Sequence, residues 1–197
     1  MNAQIGVIMS RWLSTEEMQE RILEAADRLF YRQGIRAVGV DTIADEIGIS
    51  KRTLYNYYPS KDALIAAYMS RRLVTLEITD RPPLDQILGA FDGLDRSIAA
   101  KRFRGCAFVN AVTELGEGTP EAHKLAITFK ENRRLWFREL LSRLGVEDED
   151  RLATQLAILL DGAIATALVR GNSAMTGAAK EAAALLIVSA TKKKRKR

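Results

Sequence analysis

The segment 43–64, IADEIGISKRTLYNYYPSKDAL, leaves the chain few ways to fold. Two short amphipathic runs flank Gly48, and Pro59 stops the second of them. Two helices that cross steeply through a short turn need a small residue where the backbones approach. They also need a turn residue that tolerates positive φ, and apolar positions facing inward on both sides. Ala44 meets the first need and Gly48 the second, while Ile43, Ile47, Ile49, Leu54 and an aromatic at 57 or 58 meet the third. The spacing predicts a helix-turn-helix, with helices over about Val40 to Ile47 and Lys51 to Tyr58.

Helical periodicity runs through the rest of the chain, and no stretch alternates for long as a strand does. Ser14 and Glu17 form a capping-box pattern, with Leu13 and Met18 placed as a hydrophobic staple. Ile22, Ala25, Ala26, Leu29 and Phe30 then make one apolar stripe that ends at Gly34. Ser60 caps a fourth helix, with Asp62 in its first turn. After the breaker DRPP at 80–83, further helices are expected at about 84–100, 106–114, 120–144, 149–170 and 174–190. Thr119 is placed as a cap before Pro120, and Gly145 and the Gly171/Asn172 pair are stops. The expected fold is all-α, with about nine helices.

On the third helix, Leu54 and Tyr58 lie one turn apart and are expected to face the core. Lys51, Arg52, Tyr55 and Asn56 are then left outward, flanked by Thr53 and Tyr57. These side chains suit a groove of double-stranded DNA. Arg takes guanine bidentately, Asn takes adenine, and the Thr methyl meets the thymine methyl. Lys, tyrosine hydroxyls and the free N–H groups of a helix start, here capped by Ser50, suit phosphate. The bland alternative is a solvated helix face. Three tyrosines within four residues weigh against it, because exposed rings unused by a core usually serve contacts.

Charge needs local accounting. The formal net charge is +5, but KKKRKR at 192–197 carries +6 by itself, so the remaining chain is slightly acidic. Segment 14–62 has seven basic against nine acidic residues. The tail is expected to be a disordered end that adds sequence-independent attraction for phosphate. Cys106 is the only cysteine, which rules out an internal disulfide and points to a reducing compartment. No secretory signal and no bilayer-spanning run is apparent, so a cytoplasmic protein with no membrane role is expected. His123 is the only histidine, and no metal-ligand spacing, phosphate loop or nucleophile elbow occurs, so neither cofactor nor enzyme activity is expected.

The segment from Ile22 to Leu64, with GISKRTLYNYYPSKDAL at its centre, resembles the N-terminal domain of the TetR/AcrR family of bacterial transcriptional regulators. FRGCAFVNAVTEL at 103–115 is similar to a segment common in AcrR-like members. The resemblance implies a homodimeric repressor whose second domain binds a small molecule and releases a palindromic DNA operator. It carries DNA-contact roles to Ser50, Lys51, Arg52, Thr53, Tyr55, Asn56, Tyr57 and Lys61. Gly39 and Asp41 depart from the family pattern, because many members have Ser or Thr at the first position and a basic or polar residue near the second. Asp41 would repel phosphate unless it caps its own helix, which leaves Thr42 as the best phosphate contact there. The expected division is a three-helix DNA-binding domain at 14–62, a helical ligand-binding and dimerisation domain at 63–190, and a basic tail at 191–197.

Residues 152–169 are apolar nearly all round, and the last helix is rich in alanine. The two helices either fill one protomer's core or carry a homodimer through 149–190. The dimer is preferred, since a solvated pair would expose a large apolar patch. For the effector, Phe91, Phe103, Phe108, Phe129 and Trp136 are candidate wall residues, as are Tyr68, Met69 and Phe137. Asn110 and Asp161 are candidate polar anchors; Asp161 interrupts an apolar run and so needs a partner, which a cap or a dimer hydrogen bond would equally supply. Two other classes stay open: a non-specific DNA-organising protein that uses the basic tail, and a small-molecule-binding helical enzyme.

Overall fold

Helix α1 (Thr15–Gln33) begins at a complete capping box, in which Ser14 Oγ accepts from the Glu17 amide at 3.1 Å and the Glu17 carboxylate accepts from the Ser14 amide at 2.8 Å. Its buried stripe is the expected one, and Gly34 ends it with φ +95°, a conformation that disfavours a side chain. Then follow α2 (Val40–Glu46), α3 (Lys51–Tyr57) and α4 (Lys61–Arg71). The C-terminal helices are α5 (Pro83–Ala99), α6 (Ala107–Leu115), α7 (Pro120–Arg143), α8 (Glu149–Arg170) and α9 (Ala174–Lys194), with a 3₁₀ turn at Gly116–Gly118. The computed structural model describes residues 14–100 and 103–194, and among these the fold is all-helical. The staple position Leu13 and the last three residues of the basic tail lie outside the described residues.

Two apolar clusters hold the fold. The first joins α1–α4 and continues into Phe108 and Ala111 of α6 and Ala122 and Ala126 of α7. The second joins α5, the C-terminal half of α7, α8 and α9 around Phe91, Phe137 and Leu156. Helix α4 starts at the domain boundary expected from sequence, yet Leu64, Ile65, Tyr68 and Met69 build it into the first cluster. The helix-turn-helix unit and the body thus share one core.

Three expectations need correction. Thr119 occupies the cap position of α7, but its side chain makes no capping hydrogen bond, and Pro120 alone prepares the first turn. Helix α9 runs on to Lys194, where a disordered tail was expected from 191. Lysine is a good helix former, and cations favour the helix C-terminus. Helix α8 is long and apolar enough, by length and composition, to cross a bilayer. It instead packs Leu152, Ala153, Leu156, Leu160, Ala163 and Ala167 inward against α7 and α9.

Leu54, with no exposed surface, is the side chain that seats α3 on this core. Leu54→Ala should lower stability by about 2–5 kcal/mol, the usual range for emptying a core leucine site. A urea unfolding midpoint within error of the parent would show that α3 is not seated in this way.

Candidate nucleic-acid interface

The turn between α2 and α3 is built as its residue types require. Gly48 takes φ +69°, its amide donates to the Asp45 carbonyl at 3.1 Å, and the Ala44 carbonyl accepts the amides of Ile47 and Ile49 at 3.3 and 3.0 Å. From α1, an Arg21 guanidinium nitrogen donates to the Ile47 carbonyl at 2.9 Å, and Arg28 pairs with Glu46 at 3.3 Å. Helix α3 begins at Ser50, whose Oγ accepts the Thr53 amide at 3.0 Å and lies 2.8 Å from the Thr53 hydroxyl.

The two faces of α3 separate cleanly. Leu54 points inward, and Tyr57 and Tyr58 pack half-buried against the first cluster. Lys51, Arg52, Tyr55 and Asn56 are exposed, as are Thr42 and Ser50, and Thr53 is intermediate. Tyr58 forms the C-cap, and its hydroxyl faces the Gln19 carbonyl. Burial, followed by the nearby Glu20 carboxylate, pushes its phenol above the ordinary range.

Two charged residues behave differently from expectation. Asp41 does not cap α2, since Gly39 leaves that start without a side-chain cap; it accepts from Lys51 Nζ at 2.9 Å. This hydrogen bond, with the attraction of the same carboxylate, raises the Lys51 pKa. The Lys61 ammonium turns inward and donates to the Ile35 carbonyl at 2.7 Å, and burial lowers its pKa. Lys61 therefore braces the turn between α1 and α2.

That turn is also tied to the body. The Glu114 carboxylate of α6 accepts the Arg36 amide at 2.9 Å and lies so close beneath Gly34 that an added Cβ would meet Glu114 Oε2 at 2.9 Å. The Tyr31 hydroxyl donates to the Gly105 carbonyl at 3.1 Å and accepts the Arg104 amide at 3.0 Å. Sequence reasoning missed these links because the partners lie more than seventy residues apart and no local pattern announces them.

Behind α1 and α4 lies a cleft of about 680 Å³, walled by Phe103, Cys106, Phe108 and Phe129 and by Arg71, Arg72 and Arg133. Phe108 and Phe129 stack at 4.0 Å between centroids, and the Arg133 guanidinium lies 4.7 Å from the Phe129 centroid. Arg72 clasps Asp27 with two bonds of 2.6 and 2.8 Å and stacks on Tyr31 and Tyr68. Burial pushes the Tyr68 phenol up to about 12.

Of the candidate effector residues, Phe103, Phe108 and Phe129 meet at this cleft. Phe91 has no accessible surface and is core, as are Phe137, Tyr68 and Met69. Trp136 borders a separate hollow, with its indole N–H on the Glu77 carbonyl at 3.1 Å. The Asn110 side chain donates to the Arg104 carbonyl at 2.7 Å and so pins the loop before α6. Asp161 is occupied by Lys130 at 2.6 Å and Arg133 at 3.3 Å. Asp161 thus joins α8 to α7 through an ion pair.

Comparison with known proteins agrees with this architecture. Residues 22–68 match the family model described as bacterial regulatory proteins, tetR family. A crystal structure titled as a TetR transcriptional regulator of Streptomyces avermitilis is 32% identical, covers 90% of this chain and 98% of its own, and superposes with a TM-score of 0.79. A TetR-family transcriptional regulator of Streptomyces coelicolor, SCO4454, is 26% identical over 89% of this chain and 97% of its own, with a TM-score of 0.80. The HTH-type transcriptional regulator YjdC of Escherichia coli is 26% identical over 165 residues, or 79% of this chain and 86% of its own.

The Ser50 cap yields a local test. Ser50→Ala should cost about 1 kcal/mol and speed exchange of the Thr53 amide, which loses its acceptor. Unchanged exchange at Thr53, measured by NMR, would mean that the cap does not hold the start of α3.

Proposed function

The chain belongs to the TetR family of bacterial regulatory proteins and is a DNA-binding transcriptional regulator, and from that premise we propose that it is a cytoplasmic homodimeric repressor. In this reading, each protomer sets α3 in the major groove of a palindromic operator, and a small molecule in the cleft behind α1 and α4 releases it. One observation carries the proposal: Arg52, Tyr55 and Asn56 stand exposed on a helix whose opposite face is locked down by Leu54.

Each side chain then has a role. Arg52 takes a guanine edge, Asn56 an adenine edge and Thr53 a thymine methyl. Tyr55, Tyr57, Thr42 and the Ser50-capped start of α3 meet phosphate oxygens. Lys51 joins them by leaving Asp41. Both partners are about half exposed or more, and solvent screens such a pair, so a phosphate can displace the carboxylate. Lys61 serves indirectly, through the turn that it holds.

A single recognition helix reads too few bases to select an operator, so two copies must place their α3 helices about 34–36 Å apart or a multiple of this. The apolar surface left on α8 and α9 supports an interface within 149–190. Ile158 is 65% exposed, Val169 87% and Leu185 70%, with Leu168 and Val188 beside them. A second copy that covers this face would complete the burial on two sides that an apolar helix such as α8 calls for.

Arg52→Ala should weaken binding to the cognate operator by about 1–3 kcal/mol and relax preference at one base position in each half-site. A selection from randomised duplexes that shows undiminished preference at every position would refute the role given to Arg52. Sedimentation at micromolar concentration should give twice the 21.9 kDa chain mass; a species of single-chain mass would refute the dimer.

A further inference from the structure

We infer that the cleft behind α1 and α4 takes an amphipathic organic carboxylate, and that Arg133 receives its carboxylate group. This rests on the effector reading above and names the chemistry of that effector.

Arg133 is in an unusual position for a surface cation. Its side chain is only 17% exposed, and among the described residues its one hydrogen bond is the 3.3 Å contact to Asp161 Oδ1. The same oxygen accepts Lys130 at 2.6 Å, so one carboxylate serves two cations and the nearer of them is the lysine. A largely desolvated guanidinium with a long, shared partner is poorly compensated, and an incoming anion would relieve it. The guanidinium carbon lies over the Phe129 ring, 4.7 Å from its centroid, Arg133 lines the cleft, and most of its five N–H groups have no described protein acceptor.

The other cations of the wall are already engaged. Arg72 is clasped by Asp27, and Arg71 pairs with Glu20 and faces Glu24. They contribute positive potential to the cleft but hold their own carboxylates. Leu94, Phe103 and Ile164 supply an apolar wall in the same cleft. A planar carboxylate matches the guanidinium fork with two parallel hydrogen bonds, and an apolar body continues onto that wall. The volume of about 680 Å³ lies in the range of small-molecule sites. A cationic ligand would meet like charge, and a neutral one would leave Arg133 as it stands.

The test compares three probes of one shape on the full chain by calorimetry: 2-naphthoate, 2-naphthamide and 2-naphthylmethylammonium. Naphthoate should bind about tenfold or more tightly than the amide, and the ammonium should show no heat. Arg133→Gln should remove the advantage of naphthoate over the amide, and Arg133→Lys should retain part of it. The comparison on the parent chain needs no variant, so a folding defect cannot mask it. Equal binding of naphthoate and amide, preference for the ammonium, or binding of none of the three overturns the inference. The same probes are then added to the chain bound to a duplex that it selects from a randomised pool, in a mobility-shift experiment. Naphthoate that binds and leaves the duplex held upholds the carboxylate site and overturns the release function. A neutral or cationic probe that frees the duplex while naphthoate does not upholds release and overturns the carboxylate site.

Discussion

The burial of Leu54 beneath a helix of seven residues is the constraint on which the rest depends. Isolated helices shorter than about 12–15 residues are marginal in water, so α3 does not hold its own direction. Its orientation comes from Leu54 below, Ser50 at its start, and the turn that Gly48 allows and Arg21 braces from α1. Exposed side chains on such a helix are aimed by the core beneath them. Arg52 and Asn56 can present a fixed hydrogen-bonding pattern to a ligand because Leu54, two positions from each, has no freedom.

That core does not stop at the helix-turn-helix. It passes through α4 into Phe108 and Ala111 of α6, and Phe108 is also a wall of the cleft. Glu114 at the other end of α6 accepts the Arg36 amide in the turn that leads into α2. A molecule that shifts α6 by displacing Phe108 or Phe129 would therefore strain the Glu114 clamp and the Tyr31 contacts to the 104–105 backbone. Packed interiors resist small continuous deformation, so such a shift is expected to move the head between discrete arrangements. Two heads locked through one dimer interface would then change their spacing together.

Much of this was legible in the residues. The turn at Gly48, the cap at Ser50 and the inward set Ile43, Ile47 and Leu54 follow from local chemistry, so the helix-turn-helix and the outward face of α3 could be read directly. The nine helices among the described residues followed from periodicity and breakers, with the end of α9 displaced by four lysine-rich positions. What escaped was long-range and electrostatic. Nothing near Asp41 signals that Lys51 would take it, and nothing near Lys61 signals a carbonyl twenty-six residues back. The candidate wall residues could not be sorted in advance, because Phe91 and Phe129 have the same composition and periodicity. Only packing shows one sealed in the core and the other open to the cleft.

Hydrogen exchange of the full chain, alone and with a duplex that it selects from a randomised pool, tests the central claim most directly. The account predicts new protection concentrated in residues 50–57 and at the start of α2, with α8 and α9 unaffected by the duplex. Protection confined to the lysine-rich end of the chain, with α3 exchanging as it does in the free protein, would contradict it.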